Sequence, residues 1–158
     1  MRAIVPILLL CSGCAAGVHE SSPAPQGELA SASADPSRVE WTIQIETGDR
    51  GLGAYTLLLR WNAEVASIAE IVPARPPAFK GAPESNPATF KTGQTKVGAF
   101  QAFGSKSPGG PIRLFTVIFA RRAPGRLSAR VTIEKLYDDD NRPVPGTLAE
   151  PDFQATFP

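Results

Sequence analysis

Thiol and imidazole chemistry is confined to the first 19 residues of this 158-residue chain, in Cys11, Cys14 and His19. The rest of the chain has no Cys and no His. A Cys or His nucleophile–base pair, a His/Cys zinc site and a structural disulfide are therefore excluded from it. Carboxylates are the remaining candidates for acid–base work. Glu40 with Glu46, and Glu64 with Glu70, are close enough in sequence to be weighed as hydrolytic pairs. Such a pair needs an enclosed site that drives its two pKa values apart, whereas these four fall on polar strand positions or in turns. The run Asp138-Asp139-Asp140-Asn141 offers hard oxygen ligands of the kind calcium takes, with Asp138 and Asp140 as the candidates. It lacks the Gly at the sixth and the Glu at the twelfth position of the calcium-loop pattern. Asp and Asn also form turns through side chain to backbone bonds, so a plain turn is the first reading and calcium the second. Arg121, Arg122 and Arg126 cluster around Ala123-Pro124-Gly125. They read as a solvated tip, with an anionic ligand as the alternative. No other cofactor or metal is expected, and the chain is expected not to be an enzyme.

These residues sit in a chain long enough for one domain of ordinary size. Hydrophobic residues make up 42%, which suffices for a core. Lys and Arg number 16 against 15 Asp and Glu, a net charge of +1. Nucleic-acid binding by counterion release needs a basic excess, and none is present. Pro (16) and Gly (14) are frequent, which favours turns and short strands over long helices.

The first residues read as an address. Ala3 to Leu10 is an apolar run too short to span a membrane. It ends in Cys11-Ser12-Gly13-Cys14-Ala15. A small pair directly before a Cys resembles the lipobox of bacterial lipoproteins, in which the peptide is cut before the Cys and the Cys is acylated. Cys14 is the match. Cys11 stands where that family usually has Leu, and an ordinary signal peptide cut near Ala15 or Ala16 is the alternative. The expected organisation is a lipoprotein signal peptide at 1–13, a flexible tether at 14–38 and a domain at 39–158. The tether is mostly Ala, Ser, Pro and Gly, without apolar periodicity, and His19 within it is given no role. The expected location is the cell envelope, lipid-anchored. In a cell with two membranes, Ala15 after the Cys resembles the outer-membrane sorting pattern.

From Val39 the hydrophobic period becomes two. Val39, Trp41, Ile43 and Ile45 alternate with polar residues. Tyr55, Leu57, Leu59 and Trp61 share one face, and Ala54, Thr56, Leu58 and Arg60 the other. Val65, Ile68 and Ile71 suggest a short helical turn running into a strand. Val97 to Phe103 alternates. Arg113, Phe115, Val117 and Phe119 alternate with Leu114, Thr116 and Ile118, apolar on both faces, as in a central strand. Leu127 to Glu134 and Phe153 to Phe157 complete the set. No segment holds a helical period, so the chain reads as an all-β sandwich.

Three segments resemble cohesin domains. Gly53-Ala54-Tyr55-Thr56-Leu57-Leu58-Leu59-Arg60-Trp61-Asn62-Ala63-Glu64-Val65 is similar to an early cohesin strand and the turn after it. Leu114-Phe115-Thr116-Val117-Ile118-Phe119 is similar to the cohesin strand of the form Leu-Ala-x-Ile-x-Phe. Leu136-Tyr137-Asp138-Asp139-Asp140-Asn141-Arg142-Pro143-Val144-Pro145 resembles the cohesin turn that closes in Pro-hydrophobic-Pro. The resemblance runs from about Arg38 to Leu148. It implies a jelly-roll β-sandwich of about nine strands, and a module that binds a protein partner, dockerin-like in cohesins proper. The partner does not transfer with the fold.

The expected function is a membrane-anchored lipoprotein with a cohesin-like module for protein–protein interaction at the envelope. The alternative is a carbohydrate-binding module that holds polysaccharide on exposed aromatics. Trp41, Tyr55, Trp61, Phe115 and Phe119 are expected in the core, while Phe79, Phe90, Phe100 and Phe103 are uncommitted. Phe79 and Phe90 fall in Val72 to Gln94, a Pro-rich stretch read as an irregular recognition loop. The apolar centre of an interface would be Leu58 on one strand, or Ile112 and Ile118 on another, rimmed by Arg60 and Arg113.

The lipobox resemblance generates one test. Globomycin should make the precursor accumulate, and Cys14→Ala should release the protein from the membrane fraction. An unchanged membrane fraction for Cys14→Ala would place the anchor elsewhere.

Overall fold

Alternation in the sequence becomes two antiparallel sheets packed as a β-sandwich. The computed structural model describes residues 35–75, 79, 81–101 and 109–158. Among them the strands are β1 Arg38–Glu46, β2 Ala54–Trp61, β3 Ala66–Pro73, β4 Glu84–Ser85, β5 Gln94–Phe100, β6 Pro111–Arg121, β7 Gly125–Tyr137, β8 Thr147–Leu148 and β9 Asp152–Phe157. A 3-10 turn at Pro87–Thr89 is opened by Asn86, whose side chain accepts from the Ala88 amide. One sheet has the order β3-β6-β1-β8, the other β4-β5-β2-β7-β9. The strand expected from Val39 begins one residue earlier. Ser37 accepts the Arg121 amide at 2.8 Å, and Arg38 donates to the Asp35 carbonyl. Cys14, His19 and Phe103 lie outside the described residues.

Aromatic rings fill the space between the sheets. Trp41 on β1 stacks on Phe153 of β9 at 5.4 Å, and Phe119 of β6 stacks on the same Phe153 at 6.3 Å. Trp61 meets Phe119 edge-on at 6.1 Å. Tyr55 packs against Phe115 at 6.0 Å and takes Phe79 edge-on at 5.2 Å. Each of these pairs except the last links one sheet to the other. Offset and edge-to-face contacts of this kind add to the burial of the rings. The five aromatics expected in the core are all there.

Three bulges set which residues face out. The register between β1 and β6 shifts at Ile43/Gln44, where Phe115 opposes Ile43 and Arg113 opposes Gln44. Leu114 is the extra residue. A bulge resets the side-chain alternation, so Ile112 and Leu114 are buried before it and Phe115, Val117 and Phe119 after it. Two expectations are corrected. Ile112 belongs to the core, not to an outer apolar patch. Arg113 does not share a face with Phe115; it is exposed and lies with Thr116 and Ile118. Similar shifts occur between β2 and β7 at Thr56/Leu57 and between β3 and β6 at Ile68/Glu70.

The expected irregular loop at 72–94 is also corrected where it is described. β3 runs to Pro73, β4 pairs with β5, and Ile68 donates to the Phe90 carbonyl at 2.9 Å. The helical turn expected near Val65 is a single turn. The Val65 and Ala66 amides both donate to the Asn62 carbonyl, and β3 follows. Asn62 fixes this end of the domain: its side chain donates to the Arg126 carbonyl at 2.9 Å and accepts the Ser128 amide at 2.8 Å.

Trp61 is 7% exposed and its indole N–H donates to the Ala66 carbonyl at 3.1 Å. Trp61→Ala should therefore destabilise the domain by about 3–5 kcal/mol, measured by urea unfolding. A loss below about 1 kcal/mol would contradict its place in the core.

Candidate functional site

The residues singled out for chemistry fall in separate places. Glu40, Glu46, Glu64 and Glu70 are all exposed, so neither carboxylate pair is enclosed. The arginine cluster at the β6–β7 turn is engaged in structural bonds. Arg121 donates to the Pro158 carbonyl and Arg122 to the Ala63 carbonyl, each at 2.6 Å, and Arg126 donates to Gln154. These bonds tie down chain ends and turns and leave no convergent anion site.

The Asp138 run is a turn closed on itself. Asp138 Oδ1 accepts the Asp140 and Arg142 amides at 3.0 and 2.8 Å, and Oδ2 accepts the Arg50 guanidinium at 2.5 Å. Asn141 has φ of 60°, a left-handed conformation that Asn tolerates. Asp140 pairs with Arg142 at 3.3 Å. Both candidate calcium ligands thus already hold protein donors. Among the described residues no group of three or more His, Cys, Asp or Glu is placed to hold a metal ion. The turn packs tightly: a Cβ at Gly53 would lie 2.5 Å from the Asp138 carbonyl oxygen.

The partner-binding candidates divide between the two outer faces. Leu58, half-buried, and Arg60, exposed, lie on the outer face of the five-stranded sheet. Arg113, exposed, and Ile118, half-buried, lie on the outer face of the four-stranded sheet. They cannot form one interface. Phe79, a partner-binding candidate from the expected recognition loop, is 5% exposed and packs on Tyr55. Phe90 is half-buried against the core. Of the four phenylalanines left uncommitted by the sequence, one is informative. Phe100 at the end of β5 is 67% exposed, the one exposed large hydrophobic among the described residues. Its cross-strand neighbour is Ala54, which in turn pairs with Tyr137.

The next rows of that face are Gly98–Thr56–Lys135 and Lys96–Leu58–Thr132. A Cβ at Gly98 would lie 2.9 Å from the Tyr55 carbonyl oxygen, so the position opposite Thr56 is kept bare. Lys96 pairs with Glu134 at 2.8 Å, and Arg130 with Asp152 at 2.6 Å. The described residues carry no row of coplanar exposed aromatics, so the polysaccharide platform considered above has no counterpart here.

Burial raises the Tyr55 phenol far above its usual range, so it stays neutral. The Arg142 amide bond is the main cause that holds the Asp138 carboxyl below its ordinary value; desolvation opposes it, and Arg50 and the Asp140 amide assist. A depressed folded pKa contributes stability above the unfolded value, about 3.9, and loses it as pH falls through the folded value. Asp138→Asn should be less stable than wild type at pH 7, with the gap closing in acid below about pH 4. Urea titrations at neutral and acid pH check this; a constant gap would contradict it.

No protein-family model matches the chain, and no curated protein matches it. Solved structures do. The seventh ScaB type I cohesin of Pseudobacteroides cellulosolvens aligns with a TM-score of 0.55 at 14% identity, over 69% of this chain and 75% of that one. The type I cohesin–dockerin complex of Clostridium thermocellum gives 0.55 at 13%, over 72% and 86%. The sixth cohesin of Acetivibrio cellulolyticus scaffoldin B, solved with a Cel5 dockerin mutant, gives 0.53 at 13%, over 72% and 84%. At such identities the likeness is one of fold, and in fold the domain is a cohesin-like β-sandwich.

Proposed function

We propose that this chain is a surface-anchored binding module that takes a protein partner on the outer face of its five-stranded sheet. The observation that carries the reading is Phe100, 67% exposed at one end of that face. Half-buried Leu58 and Thr56 continue from it across β2, and exposed Arg60 closes the far end. An aromatic anchor, an apolar centre and an arginine rim are the composition of protein interfaces. The likeness in fold to cohesins solved in complex with dockerins supports a dockerin-like partner.

The membrane part of the proposal rests on the Ser12-Gly13-Cys14 junction. A lipid on Cys14 followed by a tether rich in Ala, Ser and Pro would keep the module at the envelope surface, in the outer membrane if the cell has two. Confinement raises the effective concentration of a neighbour at the same surface, so modest affinity suffices.

Photo-crosslinking in intact cells tests the face. A photoreactive residue in place of Lys96 should yield a discrete adduct, and one in place of Thr42, on the opposite sheet, should not yield that adduct. Leu58→Asp and Phe100→Ala should each reduce recovery of the adduct at least about tenfold, the loss expected of central interface residues. Their melting temperatures should stay near that of wild type. Full recovery with both variants, or the same adduct from Thr42 alone, would overturn the assignment.

A further inference from the structure

The outer face of the four-stranded sheet has a charge pattern that the register alone creates. Val72 on β3, Thr116 on β6 and Thr42 on β1 are cross-strand partners and form the middle row. The Thr42 and Thr116 hydroxyls are bonded to each other at 2.9 Å. On one side of this row lie Glu70, Ile118 and Glu40, again paired across the strands. On the other side lie Arg113, opposite Gln44, and Arg75 just past the end of β3. In the rows next to the middle one, acid thus lies on one side and base on the other, and the middle is neutral and half apolar; one row further out along β1 the signs reverse, with Arg38, paired to Asp35, beyond Glu40 and Glu46 beyond Gln44. None of Glu40, Glu70, Arg75 and Arg113 makes an ion pair among the described residues, whereas Arg50, Lys96, Arg130 and Arg142 all do.

We propose that this face is a two-fold self-association surface and that its occupant is a second copy of this chain. A two-fold contact sets each residue against its image across the axis. With the axis along the middle row, Val72, Thr116 and Thr42 meet their own copies. Arg113 then lies over Ile118 of the second copy, between its Glu40 and Glu70, and Arg75 lies over Glu70. All four unpaired charges find opposite charges at once. A parallel stacking without that axis would oppose like charges, which is disfavoured. The face is an open depression of about 820 Å³, which gives the arginines of the second copy room to lie across it.

The surface is small. A patch three strands wide and about six residues long covers roughly 300 Å² in projection, below the roughly 800 Å² per partner of stable complexes. Association is therefore weak, with dimer accumulating between about 10 µM and 1 mM, and it weakens with salt because its charges are at the rim. The face is opposite the one assigned to the protein partner, so both can be occupied together.

A charge swap tests the proposal by sedimentation of the full chain under reducing conditions. The double variant Arg75→Glu/Arg113→Glu puts acid on both sides of the middle row, and Glu40→Arg/Glu70→Arg puts base on both sides. Each should lose at least about tenfold in self-association through like-charge opposition, and a mixture of the two should recover it. As a second readout, Thr42→Cys in a Cys11→Ser/Cys14→Ser background should form a dimer with a bismaleimide about 10 Å long, the spacing of stacked sheets. Ser128→Cys on the other sheet should not. The proposal is overturned if the wild-type chain stays monomeric to about 1 mM, if it assembles beyond dimers, if either double variant associates like wild type, or if the mixture does not recover.

Discussion

Phe153 is the contact on which the sandwich depends. Its ring stacks on Trp41 and on Phe119, which both belong to the opposite sheet. Phe119 in turn meets Trp61, which brings the contact back to the sheet of Phe153. Four rings from β1, β2, β6 and β9 thus lock the first two strands to two from the second half of the domain. The spacing between the sheets is set by these rings, and everything outside it follows. Residues that alternate with the rings must face solvent, so Leu58 and Arg60 are outward because Leu57, Leu59 and Trp61 are inward. The two outer faces inherit their composition from the core by exclusion.

Bulges then decide the details of those faces. Without the extra residue at Leu114, strict alternation would send Arg113 into the core with Phe115. The bulge lets β6 bury Ile112 and Leu114 at one end and Phe115, Val117 and Phe119 at the other, while Arg113, Thr116 and Ile118 stay outside. The segregation of charge on the four-stranded sheet depends on this. Glu70 comes level with Ile118 through the bulge at Ile68/Glu70, while Glu40 faces Ile118 in the unbroken ladder from Arg38 to Ile43.

Much of this was legible in the residues. Period-two patterning marked β1, β2, β6 and β7, and the five large aromatics of the core followed from it. Phe79 did not, because a single Phe among prolines has no period to place it, and only the approach of Tyr55 shows it to be buried. β4 and β8 were invisible because two residues carry no alternation. The Asp138 turn was recognisable as a turn, but its closure by Arg50 joins residues 88 positions apart, which no local pattern encodes. Phe100 shared an alternating strand with residues of both faces, and its exposure became clear only when β5 was seen to pair with β2 at Ala54. The self-complementary charge pattern spans three strands, so it exists only once the register does.

The pairing of β1 with β6 has a consequence for how the domain forms. Arg38 meets Ala120 and Glu46 meets Pro111, so the first strand cannot close its ladder until β6 is available. β2 likewise waits for β7, joining Ala54 to Tyr137. Contacts this remote in sequence make loop closure the slow step, and all-β topologies of high contact order fold in milliseconds to seconds. During that interval β1 and β2 are open strands with one apolar side. Glu40 and Glu46 along β1, and Arg60 on β2, are the charges that discourage such strands from pairing with the wrong chain. Until β6 and β7 arrive, these charges and the short turns between strands are what keep the apolar sides of β1 and β2 from a wrong partner.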